Sequence, residues 1–181
     1  QYLIMHPYVQ FTSDYARLLR DGKKLAMGGF RPCPKPELPK DAATALIFSP
    51  HPDDECIIGA LPLRLLREGK MRVINVAVTQ GSKKERQQER LAELRLACEF
   101  IGYELIQTKP AGLEGVNLKT REQLRAVWDE SVQIILEILE RTAPRIIFFP
   151  HEQDWNSSHI GTHFLVRDAL EKLGPQFACY T

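Results

Sequence analysis

The chain has 181 residues, of which 44% are hydrophobic and 26% charged, a composition typical of a globular domain and not of a disordered chain. Its 24 Lys and Arg residues balance 23 Asp and Glu residues, leaving a net charge of +1, so no basic excess indicates a nucleic-acid partner. No apolar run is long enough to predict a transmembrane segment. The length is that of one domain.

The four cysteines, Cys33, Cys56, Cys98 and Cys179, form no CxxC pair. They predict neither a zinc finger nor a disulfide framework, and we interpret them as free thiols. The cysteine pattern does not identify the cellular compartment. We slightly favour the cytoplasm, although a removed signal peptide would leave no trace in these residues. The sequence does not indicate the oligomeric state.

Residues 1–43 are predicted to be an N-terminal extension ahead of a domain over residues 44–181. A short helix is expected in the extension, capped by Ser13 or Asp14 and ended by Gly22. Residues 31–39 contain four prolines, which favour extended backbone and predict a linker or an arm along the surface.

From residue 44 onward, short apolar runs alternate with amphipathic segments. Strands are predicted over residues 45–48, 71–78, 103–106 and 145–149, and helices over residues 55–68, 84–101, 120–143 and 158–173. Pro62 is expected to kink or interrupt the first of these helices, and Thr120 is expected to open the third with a capping box. A further strand is expected over residues 177–180, so the last part of the fold is expected to be incomplete. This order predicts an α/β protein with right-handed crossovers, a three-layer α/β/α sandwich around a mostly parallel, Rossmann-like sheet.

Two of the predicted strands run into segments that carry imidazole and carboxylate groups. The first strand leads into His51-Pro-Asp-Asp-Glu55 and the fourth leads into the segment 151–159, which ends with a histidine. Such sheets bind ligands beyond the carboxyl ends of their strands, and His with Asp is a common zinc-ligand set. His51 and Asp54 can point into one cleft, with Asp53 placed to hold a water. Acidic residues also favour a helix N-terminus by themselves, but the second histidine-containing strand end favours a metal site.

The segment His51-Pro-Asp-Asp-Glu55, followed by Gly59, resembles the signature of the PIG-L/LmbE-like zinc deacetylases. The resemblance covers residues 44–181 and includes Thr79-Gln-Gly81 after the second strand and Arg90-Leu-Ala-Glu93 in the following helix. Members of this family remove acetyl groups from N-acetylglucosamine-type amino sugars, among them glycosylphosphatidylinositol, mycothiol and bacillithiol precursors and glycopeptide antibiotics. The resemblance implies a zinc-dependent hydrolase that cleaves a linear amide bond and releases acetate.

The resemblance also implies a role for individual residues. His51 and Asp54 are expected to bind Zn2+, and Asp53 is expected to be the general base. The third ligand of the family is the last His of a His-x-x-His pair, a position that His159 fits best. The first His of that pair, credited with stabilising the oxyanion, is Asn156 in this chain. An Asn side chain can donate a hydrogen bond to an oxyanion but cannot carry a positive charge.

Several neighbouring residues are expected to complete the site. The resemblance places Arg90 near the cleft as a substrate-binding residue. His163 follows His159 by four residues and is either an alternative ligand or a residue packed behind the ligands, and His151 is expected to support a ligand or to lie in the cleft. The loop over residues 109–117 is expected at the cleft rim. The expected substrate is a small N-acetylated amino sugar or its conjugate, which the sequence does not identify further.

The alternative hypothesis is a non-catalytic carbohydrate-binding protein on a deacetylase-like scaffold. It is motivated by Asn156, which stands where the family has a His that can be charged. The general base Asp53 and all three expected metal ligands are present, however, and a binding protein would not need all of them. We therefore expect an active enzyme.

Overall fold

The computed structural model describes residues 6–26, 28, 29 and 31–174. The strand expected over residues 177–180 and Cys179 lie outside the described residues. The chain divides into two compact units, Gln1–Pro32 and Cys33–Thr181. The first contains the helix α1 (Pro7–Gly22), and residues 31–39 form neither helix nor strand.

Helix α1 begins earlier than the sequence predicted. Its first residue is Pro7, and the Nδ1 atom of His6 caps it by accepting a hydrogen bond from the backbone N–H of Tyr8 at 3.2 Å. Proline is favoured in the first turn because the N–H that it lacks would have no partner there. Ser13 therefore lies inside the helix and does not cap it. The end of the helix at Gly22 is as predicted.

The second unit contains a parallel sheet. Its strands are β1 (Thr44–Ser49), β2 (Arg72–Ala77), β3 (Glu104–Gln107) and β4 (Ile146–Phe148). All neighbouring strands pair in parallel, in the order β3-β2-β1-β4. Every residue of β1 is buried, as expected for a central strand that is covered on both faces.

Helices cover both faces of the sheet. They are α2 (Asp54–Ile57), α3 (Ala60–Arg67), α4 (Gln87–Ile101), α5 (Leu118–Gln123), α6 (Arg125–Thr142) and α7 (Ser157–Leu173). On one face, α6 and α7 pack on the sheet in a core that includes Leu46, Phe48, Ile74, Val76, Trp128, Ile135 and Leu165. On the other face, α3 and α4 form a core that includes Ala45, Ile47, Val73, Leu66, Leu94 and Cys98. This arrangement confirms the predicted α/β/α sandwich. Within the described residues, no helix is both long and apolar enough to span a bilayer.

The helix predicted over residues 55–68 is divided into α2 and α3. The division occurs at Gly59, whose φ of 85° and ψ of −154° lie in a region that glycine adopts readily. Pro62 lies in the first turn of α3, where its missing N–H leaves no helical hydrogen bond unmade. The prediction that Pro62 interrupts the helix was therefore wrong, and Gly59 is the residue at the break.

The capping box predicted at Thr120 was also wrong. Helix α5 already begins at Leu118, and the Oδ1 atom of Asn117 accepts the backbone N–H of Thr120 at 3.0 Å. Thr120 is thus in the third position of α5, three residues after the actual cap. The chain leaves the helical conformation at Leu124 before α6 begins.

A buried carboxylate joins α5, α6 and α7. Asp168 accepts hydrogen bonds from Arg121 at 2.8 and 3.0 Å and from the indole N–H of Trp128 at 2.8 Å. Burial by itself raises the pKa of Asp168, but the hydrogen bonds from Arg121 and Trp128 outweigh this effect and lower the pKa below its ordinary value. The ionised form of Asp168 therefore stabilises this layer.

Candidate metal centre and active site

The turn after β1 is tied to the end of β2. Thr79 donates two hydrogen bonds to the carbonyl of Pro50, one from its hydroxyl at 2.7 Å and one from its backbone N–H at 3.1 Å. Within the turn, the backbone N–H of His51 donates to Oδ2 of Asp54 at 2.8 Å. These contacts bring the side chains of His51 and Asp54 to the carboxyl edge of the sheet.

The structure brings together the three residues that were expected to be metal ligands. Nε2 of His159 lies 3.3 Å from Nδ1 of His51 and 3.5 Å from Oδ2 of Asp54, and those two atoms are 3.6 Å apart. Ligands at zinc bond lengths in a tetrahedral site lie about 3.3–3.4 Å from one another. Two imidazole nitrogens and one carboxylate oxygen at these separations therefore fit a zinc site with one further position for water or substrate.

His159 is oriented by a carboxylate for which the sequence analysis proposed no role. Oδ2 of Asp154 lies 3.1 Å from Nδ1 of His159. Because an ionised carboxylate only accepts hydrogen bonds, it selects the tautomer with the proton on Nδ1 and leaves Nε2 free for a metal. Burial raises the pKa of Asp154, but hydrogen bonds from the backbone of Asn156 and from His159 outweigh it and lower the pKa. An acidic residue five positions before a ligand histidine was the available sequence signal.

Asp53 lies at the same cleft as His51 but outside the group of ligands. Its side chain is 63% exposed, so its carboxylate is open to a bound substrate. Its backbone has a φ of 128°, a conformation that residues with a Cβ rarely adopt and that is enriched at functional sites. Asp53 thus presents an exposed carboxylate beside the candidate metal site.

Arg90, expected to bind substrate, contacts the turn that holds Asp53. Its Nη2 atom donates to the carbonyl of Pro52 at 2.6 Å and lies 3.5 Å from Oδ2 of Asp53. Gly81 makes room for this arginine, because a Cβ at that position would lie 2.6 Å from Nη1 of Arg90. Arg90 also lines the cleft, so a contact with substrate is compatible with this position.

Asn156 is the N-cap of α7. Its Oδ1 atom accepts the backbone N–H of Ser158 at 2.9 Å, and its own backbone N–H donates to Asp154 at 2.9 Å. In the described part of the chain, its Nδ2 group has no hydrogen-bond partner, and the residue lines the cleft. The cap therefore uses the side-chain oxygen and leaves the N–H donors for a ligand.

His163 and His151 do not join the three ligand atoms. His163 is 2% exposed, its Nδ1 atom lies 2.8 Å from the carbonyl of Pro150, and its ring packs against Phe149 and Phe164. His151 is exposed at the turn after β4 and accepts the backbone N–H of Gln153. His163 thus contacts the turn that follows β4, and the alternative of a ligand role has no support in this geometry.

The candidate site opens into a cleft of about 630 Å³. As predicted, the loop over residues 109–117 forms part of its rim. Leu113 donates to the carbonyl of Val78 at 2.8 Å, and Glu114 pairs with Lys84 at 3.2 Å. The loop packs closely on α7, since a Cβ on Gly161 would lie 2.3 Å from the carbonyl oxygen of Val116. The remaining lining is mostly polar and includes Ser82, Gln87, Ser157 and Ser158.

Comparison with known families agrees with this geometry. Residues 46–170 match the family described as PIG-L: GlcNAc-PI de-N-acetylase. The chain belongs to the PIG-L family. The matched range includes the β1 turn, Arg90 and the β4 turn, so every residue discussed for the candidate site lies inside the PIG-L region. No curated protein sequence is significantly similar to the chain.

Solved structures share the fold of this PIG-L chain. The N,N'-diacetylchitobiose deacetylase of Pyrococcus horikoshii is 21% identical, with a TM-score of 0.50 over 89% of this chain and 58% of that one. Dbv21, the deacetylase of the pseudoaglycone of the antimicrobial reagent A40926, is 15% identical, with a TM-score of 0.55 over 74% of this chain and 61% of that one. At these identities the likeness shows the fold alone.

The same fold also occurs in an enzyme with another activity. GalB, a 4-carboxy-2-hydroxymuconate hydratase from Pseudomonas putida, is 15% identical, with a TM-score of 0.52 over 71% of this chain and 55% of that one. The fold therefore does not by itself identify the reaction. The PIG-L chain described here spans a little over half the length of these solved relatives.

Proposed function

We propose that this PIG-L chain is the catalytic part of a zinc-dependent N-deacetylase. Its substrate is an N-acetylated amino sugar of the N-acetylglucosamine type, or a conjugate of one, and its products are the free amine and acetate. The observation that carries the proposal is the convergence of His51, Asp54 and His159 within 3.6 Å of one another, beside the exposed carboxylate of Asp53. This donor set and its spacing fit Zn2+.

Each residue of the site has a task in amide hydrolysis. Bound Zn2+ would polarise the amide carbonyl and lower the pKa of water toward about 7. His51, Asp54 and His159 would hold the ion, and Asp154 keeps His159 in the required tautomer. The carboxylate of Asp53 accepts a proton from the attacking water and delivers it to the departing amine.

The oxyanion and the sugar meet different parts of the cleft. Asn156 donates from Nδ2 to the developing oxyanion, since its Oδ1 atom is already used by the helix cap. The hydroxyl and amide groups that line the cleft suit the many hydroxyl groups of a sugar. The substrate is thus a small molecule, and nothing in the charge of the chain points to nucleic acid.

The proposal is tested by measuring acetate release from a panel of N-acetylglucosamine conjugates, with zinc content measured in parallel. The matched control is Asp53→Asn, which is isosteric and changes no expected ligand. We expect it to lower kcat by about 10²–10⁴ while zinc content and sugar affinity stay close to those of the wild type. A chelator should abolish activity, and added zinc should restore it.

Two outcomes would assign a different function. If the wild type and Asp53→Asn are equally inactive but both bind the sugar, the chain is a carbohydrate-binding protein, the alternative that Asn156 suggests. If the wild type cleaves other amides and no N-acetylated sugar, it is an amidohydrolase of another class. Wild-type protein that binds no zinc and gains no activity from it would contradict the metal dependence.

A further inference from the structure

We infer that Glu55 and Arg90 are positioning residues that clamp the peptide unit between Pro52 and Asp53 from opposite sides. This inference rests on the proposed function, in which Asp53 is the base. The carbonyl of that peptide accepts a hydrogen bond from Arg90 at 2.6 Å, and its N–H donates to Oε2 of Glu55 at 3.0 Å. Both polar atoms of one peptide unit are thus bonded to charged side chains.

The charges of the two side chains select one orientation of this peptide. A rotation of the peptide plane by half a turn would direct the carbonyl oxygen toward the carboxylate of Glu55 and the N–H toward the guanidinium of Arg90. Both contacts would then be repulsive instead of attractive. The observed orientation is therefore held by two charge-assisted hydrogen bonds, and it includes the unusual φ of 128° at Asp53.

A strained residue persists only where its surroundings determine its conformation. The carbonyl of Asp53 is also held, since it accepts backbone hydrogen bonds from Cys56 at 2.9 Å and from Ile57 at 3.2 Å. The side chain of Asp53, by contrast, has one hydrogen-bond and ion-pair partner among the described residues, Arg90, at 3.5 Å. The backbone contacts, and those from Glu55 and Arg90 above all, therefore decide where this carboxylate points.

The environment of Glu55 favours a positioning role over a stabilising one. Glu55 is 3% exposed and forms no salt bridge with any described residue. Its second contact is the thiol of Cys56, which donates to Oε1 at 3.3 Å. The loss of hydration on burying a carboxylate offsets much of what two such hydrogen bonds contribute to stability. Its useful contribution is the bond to Asp53.

The test compares Glu55→Ala with Glu55→Gln, which keeps an oxygen that can accept the N–H of Asp53. Asp168→Asn is the control for loss of a buried carboxylate away from the cleft. We expect Glu55→Ala to lower kcat by about 10–100-fold with little change in KM, because the base is misplaced while the sugar still binds. Glu55→Gln should retain most of the wild-type kcat, and zinc content should be unchanged in both.

A second readout does not depend on activity. Hydrogen exchange at the amide of Asp53, followed by NMR, should be faster by about tenfold in Glu55→Ala and close to the wild type in Glu55→Gln. Unchanged exchange in Glu55→Ala would overturn the inference. The inference would also be overturned if Glu55→Ala and Glu55→Gln lost kcat equally and both showed a fall in Tm like that of Asp168→Asn. If the wild type releases no acetate, the proposed function fails, and the exchange experiment still decides whether the clamp exists.

Arg90→Ala tests the clamp from the exposed side, and it remains informative if Glu55→Ala does not fold. We expect a lower kcat with unchanged affinity for the deacetylated product, since Arg90 acts through the Pro52–Asp53 peptide. A raised KM and weaker product binding with an unchanged kcat would assign Arg90 to the substrate and overturn its positioning role.

Discussion

The two strand ends that meet at the candidate site are held in place by different kinds of contact. At the end of β1, the local bonds that Asp54 and Glu55 accept are joined by contacts from distant parts of the chain, since Thr79 bonds Pro50 and Arg90 bonds Pro52. At the end of β4, the contacts that involve the site residues are local. Asp154, Asn156 and His159 are joined through hydrogen bonds that span five residues or fewer.

The backbone differs in the same way. Asp53, at the β1 end, has a φ of 128° and is bonded through its peptide both to the nearby Glu55 and to the distant Arg90, whereas Asn156, at the β4 end, has an ordinary φ of −93°. The β4 turn is thus organised mainly by its own sequence, with the contact between His163 and Pro150 as a longer-range addition. We therefore expect the β1 end to be sensitive to substitutions far away in the sequence. The β4 end should be sensitive mainly to substitutions within its own turn.

Among substitutions at the two strand ends, we expect the largest effect for Asn156→Asp, at the β4 end. Asp is as good an N-cap as Asn, so α7 should keep its first turn, but the N–H donors of the side chain are lost. We expect kcat to fall by about 10²–10³ through loss of an oxyanion donor, with Tm near that of the wild type. A variant that keeps the wild-type kcat would show that Asn156 serves only as a cap.

Asp154→Asn should have a smaller effect, on metal affinity. The amide cannot accept the hydrogen bonds of both His159 and the Asn156 backbone as the carboxylate does. We expect zinc affinity to fall by about 10–100-fold, measured by competition with a chelator, and activity to recover at saturating zinc. Activity that stays low at saturating zinc would contradict an orienting role for Asp154.

Thr79→Val breaks a distant contact of the β1 end and leaves the β4 end unchanged. The valine methyl replaces the hydroxyl that bonds Pro50 and accepts the N–H of Gly81. We expect a loss of about 1–2 kcal/mol in the free energy of unfolding, measured by urea denaturation, and a lower zinc affinity and kcat, because His51 and Asp54 follow Pro50 in the turn that Thr79 holds. Unchanged stability and zinc affinity would mean that the hydroxyl of Thr79 does not hold the β1 turn.

Asp168→Asn should alter neither strand end. Its amide group faces the donors of Arg121 and Trp128, so we expect about 1–3 kcal/mol less stability at pH 7 and no change in kcat. Because the pKa of Asp168 is lowered by folding, its stabilisation is complete above the ordinary pKa of about 3.9 and is lost as the pH falls through the lowered value. The difference in unfolding free energy between wild type and variant should therefore shrink near pH 3. A difference that does not depend on pH would contradict an ionised Asp168.

The elements that could be predicted from the sequence are those with a strong periodic pattern. The apolar runs predicted β1 and β2, and the helical spacing predicted α4 and α7, within one to three residues at each end. The errors occurred where two local signals competed. Pro62 is tolerated because Gly59 ends α2 first, and the box at Thr120 is superseded by Asn117, which caps the chain three residues earlier.

In the candidate site, the residues that carry the chemistry were predicted, but the contacts that orient them were not. The residue types at the two strand ends, with the family resemblance, predicted the three residues whose ligand atoms converge. The contacts of Asp154, Glu55 and Arg90 were not predicted, because each depends on the direction of a side chain or of a peptide plane. Such directions are set by packing, which a sequence pattern does not contain.

The order of strands and helices and the chemical groups at each strand end thus follow from local periodicity and residue type, which the sequence contains. The 3.3 Å distance between Nδ1 of His51 and Nε2 of His159, 108 positions apart, depends on the folded chain. That distance results from the parallel pairing of β1 with β4, in the register that sets Ile47 beside Phe148. This register comes from burying both faces of the sheet at once, which is a property of the whole core and of no single segment.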